Sequence, residues 1–167
     1  LPSLPTLYQK IMEQLSSPEA SIESVGQTIA RDPGMTAKIL QMVNSAFFGL
    51  RRQMSSPTEA AMLLGIETIK TLVLWIHVFS NYKNLPVRGF SIEQLSNHCL
   101  ATGLLAKKIV REEGGDGKAQ DEAMTAGLLH DIGKLVLATS RPAQFDQARA
   151  QAVQKRTHCW QAERDIF

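Results

Sequence analysis

Ser56-Pro57-Thr58-Glu59-Ala60-Ala61-Met62-Leu63-Leu64-Gly65 spells out one whole helix with its start and its stop. Ser56 can accept a hydrogen bond from the backbone three residues on, and Glu59 can reach back to complete a capping box. Pro57 stands at the first helical position, where no backbone donor is needed. Gly65 supplies the residue on which helices end, because it tolerates positive φ without strain. The same punctuation recurs outward in both directions. Upstream, Ser21 precedes Ile22, Val25, Ile29 and Ala30 at helical spacing, and Asp32-Pro33 starts a stretch with Met35, Ile39, Leu40 and Val43 on one face. Downstream, Ile66 to about Tyr82 reads as a long helix apolar on much of its circumference, hence central to the core.

Residues Asn84 to Gly89, with Pro86 among them, read as a connector between an N-terminal helical lobe (about 1–84) and a C-terminal lobe (about 91–167). Ser91 opens another capped helix carrying Leu95, Leu100, Leu104, Leu105 and Ile109. Gly114-Gly115-Asp116-Gly117 is a loop, and a helix is expected from Gln120 through Leu129 and on to Leu137. Arg141-Pro142 restarts a helix, and the last begins near Thr157 or His158. Period-two alternation is nearly absent, so the expected fold is all-α, a multi-helical bundle with an N-terminal helical lobe.

Composition narrows the function. The 167 residues are 44% apolar and 20% charged, enough for an ordinary core in one domain. Eighteen basic residues against 16 acidic ones leave a net charge of +2, without the basic stripe that nucleic acid requires, so no nucleic-acid partner is expected. Arg51–Arg52 and Lys107–Lys108 read as solvated faces. No apolar run approaches the roughly 20 residues a bilayer demands, so no membrane partner is expected either. Cys99 and Cys159 lie far apart with no C-x-x-C spacing, which favours a reducing cytoplasm over a disulfide framework. The opening Leu1-Pro2-Ser3-Leu4-Pro5 has neither Met nor a basic leader, and reads as the start of a fragment.

Chemistry concentrates in Gly127-Leu128-Leu129-His130-Asp131-Ile132-Gly133-Lys134-Leu135. On a helix, adjacent His130 and Asp131 would project about 100° apart, within reach of one metal ion. Imidazole with carboxylate suits Mn, Fe, Zn or Mg, but two ligands are too few, and His98 on the preceding helix is the natural third. The plainer reading has His130 bonded to a carbonyl and Asp131 to a neighbouring helix end. Lys134 could neutralise a phosphate or pair with Asp131. His77 reads as a core-edge histidine, and His158-Cys159 matches no zinc spacing.

Taken together, the motifs resemble the HDOD family, the "HD-related output domain" of bacterial signalling and a relative of the HD phosphohydrolases. Leu1-Pro2-Ser3-Leu4-Pro5, Asp32-Pro33-Gly34-Met35-Thr36-Ala37-Lys38-Ile39-Leu40, Asn44-Ser45-Ala46-Phe47-Phe48, Ala60 to Gly65, and His98 with Gly127 to Lys134 follow in the family's order. Physically, Asn44 and Ser45 could close a helix end by local bonds while Phe47 and Phe48 fold back as apolar anchors. The resemblance implies a single HDOD domain over 1–167 acting as a non-catalytic output module. It implies no required cofactor, and as partners signalling proteins or attached receiver or GGDEF domains, or a nucleotide-like ligand. It also implies that His98, His130 and Asp131 match the first three metal ligands of the hydrolases. Their later Asp has no counterpart before Phe167, since Asp146 and Asp165 follow the pair too closely, and it is expected past that end or not at all. The GYP motif of related cyclic-di-GMP phosphodiesterases is absent. The alternative is a metal-dependent phosphohydrolase or phosphodiesterase using those three ligands with Lys134 on phosphate. A concealed helix-turn-helix is a distant third, against which the charge balance argues.

Overall fold

The structure, a computed structural model, describes residues 4–17, 21–82, 87 and 89–167. Leu1-Pro2-Ser3 and most of the expected connector (Asn84–Pro86 and Arg88) lie outside the described residues. Those described form ten helices and no strand. In chain order they are α1 (Leu4–Ser16), α2 (Ile22–Ala30), α3 (Pro33–Val43), α4 (Pro57–Leu64), α5 (Ile66–Ser80), α6 (Ile92–Glu112), α7 (Gly117–Leu129), α8 (Ile132–Ser140), α9 (Pro142–Lys155) and α10 (Cys159–Ile166).

The caps form as the residue types dictate. Ser21, Asp32, Ser56 and Ser91 each accept from the backbone N–H three residues on. Glu59 reaches back one residue past the cap expected for a capping box, accepting from Ser55 N–H at 3.0 Å rather than from Ser56 N–H, a bond that, with Arg52 at 2.7 Å, holds its carboxyl below the usual range. Gly65 ends α4 and starts α5 at φ +82°. Helix α1 was not signalled by any cap, yet its Ile11 is fully buried.

The principal core gathers Val25 and Ile29 of α2, Met35 and Ile39 of α3, and Ile69, Leu72, Val73 and Ile76 of α5. Leu100, Met124 and Leu128 from α6 and α7 complete it, so residues before and after the connector share one core. Helix α5 is indeed central. A second cluster joins Phe79, Leu95, Cys99 and Leu135.

Several details differ from the sequence expectations. Helix α7 begins at Gly117, three residues early, because Asp116 caps it by accepting from Ala119 N–H at 2.7 Å. It does not continue to Leu137: the chain breaks at His130 and Asp131 and resumes as α8. Leu105 and Ile109 face solvent rather than core. Lys107 is no solvated charge, since its ammonium donates to Thr68 Oγ1 at 3.0 Å and Asp121 Oδ1 at 2.6 Å, tying α5, α6 and α7 together. Asn44 reaches beyond its own helix end, and its amide donates to Met54 O at 2.9 Å and accepts from Met54 N–H at 2.7 Å. Phe48 packs on the core as expected, but Phe47 is 49% exposed.

Candidate functional site

The site forms where α6 meets the junction of α7 and α8. Glycines set that meeting. A β-carbon on Gly127 would lie 2.6 Å from the Cα of Gly103, and one on Gly103 would lie 2.7 Å from the Met124 carbonyl oxygen. The backbones of α6 and α7 can therefore touch, which carries His98 of α6 up to His130.

His130 is the last residue of the α7 turn, and Asp131 follows at φ −108°, ψ 10°, where the helix breaks. The pair consequently occupies a junction rather than one continuous helix, and Asp131 makes no side-chain cap. His130 Nδ1 lies 2.7 Å from the Gly127 carbonyl oxygen. A carbonyl only accepts, so Nδ1 is the donor in this bond, and in the neutral ring Nε2 is the nitrogen left to accept or ligate. That bond is the carbonyl contact of the plainer reading, and it also fixes the ring for ligation, as an outer partner does for metal-bound histidines.

Three ligand-type atoms converge: His98 Nε2 and His130 Nε2 at 3.2 Å, His130 Nε2 and Asp131 Oδ2 at 3.5 Å, and His98 Nε2 and Asp131 Oδ2 at 3.7 Å. A point equidistant from all three would be about 2.0 Å from each, an ordinary Zn–N or metal–carboxylate length. The donor set therefore fits a divalent metal in size and chemistry, and these three form the only such group among the described residues. His98 is 58% exposed and Asp131 18%, so the cluster opens to solvent on the His98 side.

A fourth group bears on the same oxygen. Lys134 Nζ donates to Asp131 Oδ2 at 2.5 Å, one turn along α8. Of the two roles open to Lys134, the structure displays the carboxylate pair. Asp146 and Asp165 are engaged elsewhere: Asp146 pairs with Arg149 at 3.5 Å, and Asp165 accepts from Gln151 at 3.0 Å. Cys99, on the residue after His98, is buried, and desolvation followed by the Asp131 charge pushes its thiol up.

Two hollows flank the cluster. One, about 310 Å³, is lined by His98, Asp131 and Lys134 with Phe90, Arg149 and Glu163. The other, about 400 Å³, lies by His130, Lys134, His158, Trp160 and Glu163. His158 and Cys159 are thus near the site yet outside its ligand group. Arg149, whose guanidinium lies 5.7 Å from the Phe90 ring centroid and donates to Gly89 O at 2.5 Å, had no signal in the sequence: α9 brings it from far along the chain. His77 stacks on Tyr8 with centroids 4.3 Å apart, away from this chemistry. No helix among the described residues is long and apolar enough to cross a membrane.

An all-helical domain with one histidine and a His-Asp pair converging at a helix junction has the build of the HD superfamily. Within it, the chain belongs to the HDOD domain family, whose model matches residues 1–167. Among curated proteins it is similar to an uncharacterized protein of Treponema pallidum (strain Nichols), 24% identical over 142 residues, covering 85% of this chain and 27% of that protein. It is also similar to the uncharacterized protein YuxH of Bacillus subtilis (strain 168), 33% identical over 84 residues, covering 50% and 20%. The chain therefore spans about a quarter of the length of the curated relatives it matches.

Of the solved structures, an HDOD domain protein of unknown function from Geobacter sulfurreducens superposes with a TM-score of 0.74 at 26% identity, over all of this chain and 55% of that one. A candidate phosphohydrolase from Shewanella amazonensis SB2B gives 0.73 at 23%, over 99% and 57%, a likeness of fold.

Proposed function

We propose that this domain is a non-catalytic output module of bacterial signalling, working in the cytoplasm by binding partner proteins, attached receiver or GGDEF domains, or a small ligand. The observation that carries this reading is the Lys134 ammonium on Asp131 Oδ2, the oxygen a metal would need. The chain's own cation compensates the carboxylate there, and no fourth ligand joins His98, His130 and Asp131 among the described residues. Three ligands can hold a catalytic metal only if that charge is released to it. Balanced charge supports protein or small-ligand partners over nucleic acid.

The convergence of the three ligand atoms supports a second reading, a metal-dependent phosphohydrolase. In it His98, His130 and Asp131 would hold a divalent ion such as Mn, Fe, Zn or Mg, and Lys134 would turn to a substrate phosphate. The ion would supply Lewis acidity and a more acidic bound water.

Metal content per chain, measured by plasma mass spectrometry on protein purified without chelator or histidine tag, separates the two. Under the relay reading the wild type carries under about a tenth of an equivalent, Lys134→Met takes up more as the competing cation is removed, and no phosphodiester is cleaved. Near-stoichiometric metal and cleavage of bis(p-nitrophenyl) phosphate, both lost in His130→Ala, would overturn it.

A further inference from the structure

A cleft of about 460 Å³ opens between α3, α5 and α6, separate from the hollows at the His-Asp cluster. Its size lies in the range of small-molecule sites. Met42, Ile76, Phe79 and Leu100 make a buried apolar floor. The two ends differ in character. Lys38 donates to Ser80 Oγ, and Phe79, next to Ser80, shares an apolar cluster with Ile92. Lys38, Ser80 and Glu93 therefore meet where α5 finishes and α6 begins. The other end is apolar: Leu100 lies about two turns on from Glu93, and Trp75 more than a turn back from Ser80.

Between the ends stands Ser96, one turn along α6 from Glu93. Only 9% of it is exposed, and its hydroxyl has no hydrogen-bond partner among the described residues. That hydroxyl is nevertheless not sealed off, and the space it opens onto is the cleft. The other buried polar side chains among the described residues are paired, Thr68 with Lys107 and Thr71 with the Glu67 carbonyl and Thr125. Buried polar groups are paired as a rule, so Ser96 asks for a polar group within the cleft. Charge narrows what carries that group. Lys38 is the one cation of the lining and Glu93 the one anion. A ligand with a single charge would meet its like as well as its opposite at that end, whereas a zwitterion answers both.

We infer that this cleft binds a free amino acid with a large apolar side chain. Its carboxylate lies toward Lys38 and the Ser96 hydroxyl, its ammonium toward Glu93, and its side chain over the apolar floor. The hydroxyl donates to the carboxylate, a charge-assisted bond. A fatty acid would cover the same floor, yet it brings a carboxylate to Glu93 with no cation of its own. Ser96 and Asn97 immediately precede His98 on α6, so a molecule seated here touches the turn that carries the cluster's histidine. In its purpose, though not in the binding itself, the inference rests on the relay reading above.

The test titrates L-phenylalanine, L-leucine and L-methionine into the whole chain by calorimetry. Glycine is the probe without an apolar side chain, and each amino acid is compared with its deamino and decarboxylated analogues (3-phenylpropionate and phenethylamine for phenylalanine). At least one of the three is expected to bind saturably and to raise Tm by roughly 5–10 °C at a hundredfold excess over Kd. Glycine and the analogues should bind it at least about tenfold more weakly. Ser96→Ala should weaken the affinity about tenfold and Glu93→Gln about fivefold. Both should leave the Tm of the free protein within about 2 °C, since the hydroxyl bonds nothing and Glu93 is exposed. The inference is overturned if none of the three binds, if an analogue binds as tightly as its parent, or if Ser96→Ala or Glu93→Gln leaves affinity intact. Failure here leaves the relay reading standing on its metal and hydrolysis assays, and metal-dependent hydrolysis would remove that reading without touching amino-acid binding.

Discussion

Asn44 holds both polar groups of the Met54 backbone, ten positions along the chain, at 2.9 and 2.7 Å. Met54 is itself buried, so removing the amide strands a donor and an acceptor away from water. Asn44→Ala is expected to lower stability by about 2–3 kcal/mol, read as a fall in urea midpoint at constant m-value. Asn44→Asp, which keeps the acceptor for Met54 N–H, should recover part of that loss. The two thiols also diverge at this scale. Cys159 is exposed, whereas Cys99 is buried and its thiol is pushed up by desolvation and by Asp131. Only the thiolate attacks, so the folded protein should release one equivalent of thionitrobenzoate from a disulfide reagent at neutral pH, and the unfolded chain two. Two equivalents from the native state would place Cys99 outside the core.

At the level of elements, the glycine contact of α6 with α7 governs the site. The atoms that a β-carbon on Gly127 would meet, Gly103 Cα at 2.6 Å and Gly103 N at 2.8 Å, are backbone and cannot turn aside. Gly127→Ala must therefore part the helices, at a cost of about 2–3 kcal/mol and a Tm fall of roughly 4–12 °C. Because His98 and His130 ride on those two helices, the same variant should lose whatever metal affinity the Lys134→Met protein displays. Gly117→Ala, where nothing lies within 4 Å, is the control and should leave both unchanged. The start of α6 was legible in advance, since Ser91 acts through a bond three residues long that a linear reading captures, whereas Asp116 caps α7 three residues before the start expected at Gln120. The crossing of α6 and α7 was not legible, because a glycine within a helix carries no mark of the neighbour it admits.

Over the whole molecule, α5 and the packing around it make one core out of residues on both sides of the 84–90 segment. Leu128 is fully buried in that core. Leu128→Ala should cost about 2–5 kcal/mol, with far-ultraviolet dichroism and, in a Trp160→Phe background, Trp75 emission still changing together in one transition. Separate transitions would mean that the two halves fold independently. By itself the sequence determined the all-helical class, most helix starts and the central place of α5, because caps and 3.6-residue periodicity are local physics. It also marked His98, His130, Asp131 and Lys134 as the residues with chemistry. Only the tertiary structure decided that the chain breaks at His130-Asp131, where neither proline nor glycine signals a stop. There Leu128 goes to the principal core and Leu135 to a second cluster, and the chain turns between them. The same long-range packing brings His98 to 3.2 Å from His130, 32 positions away, while the new start at α8 sets Lys134 on Asp131. Such distances depend on how helices stack, and helix stacking is written in no single stretch of the chain.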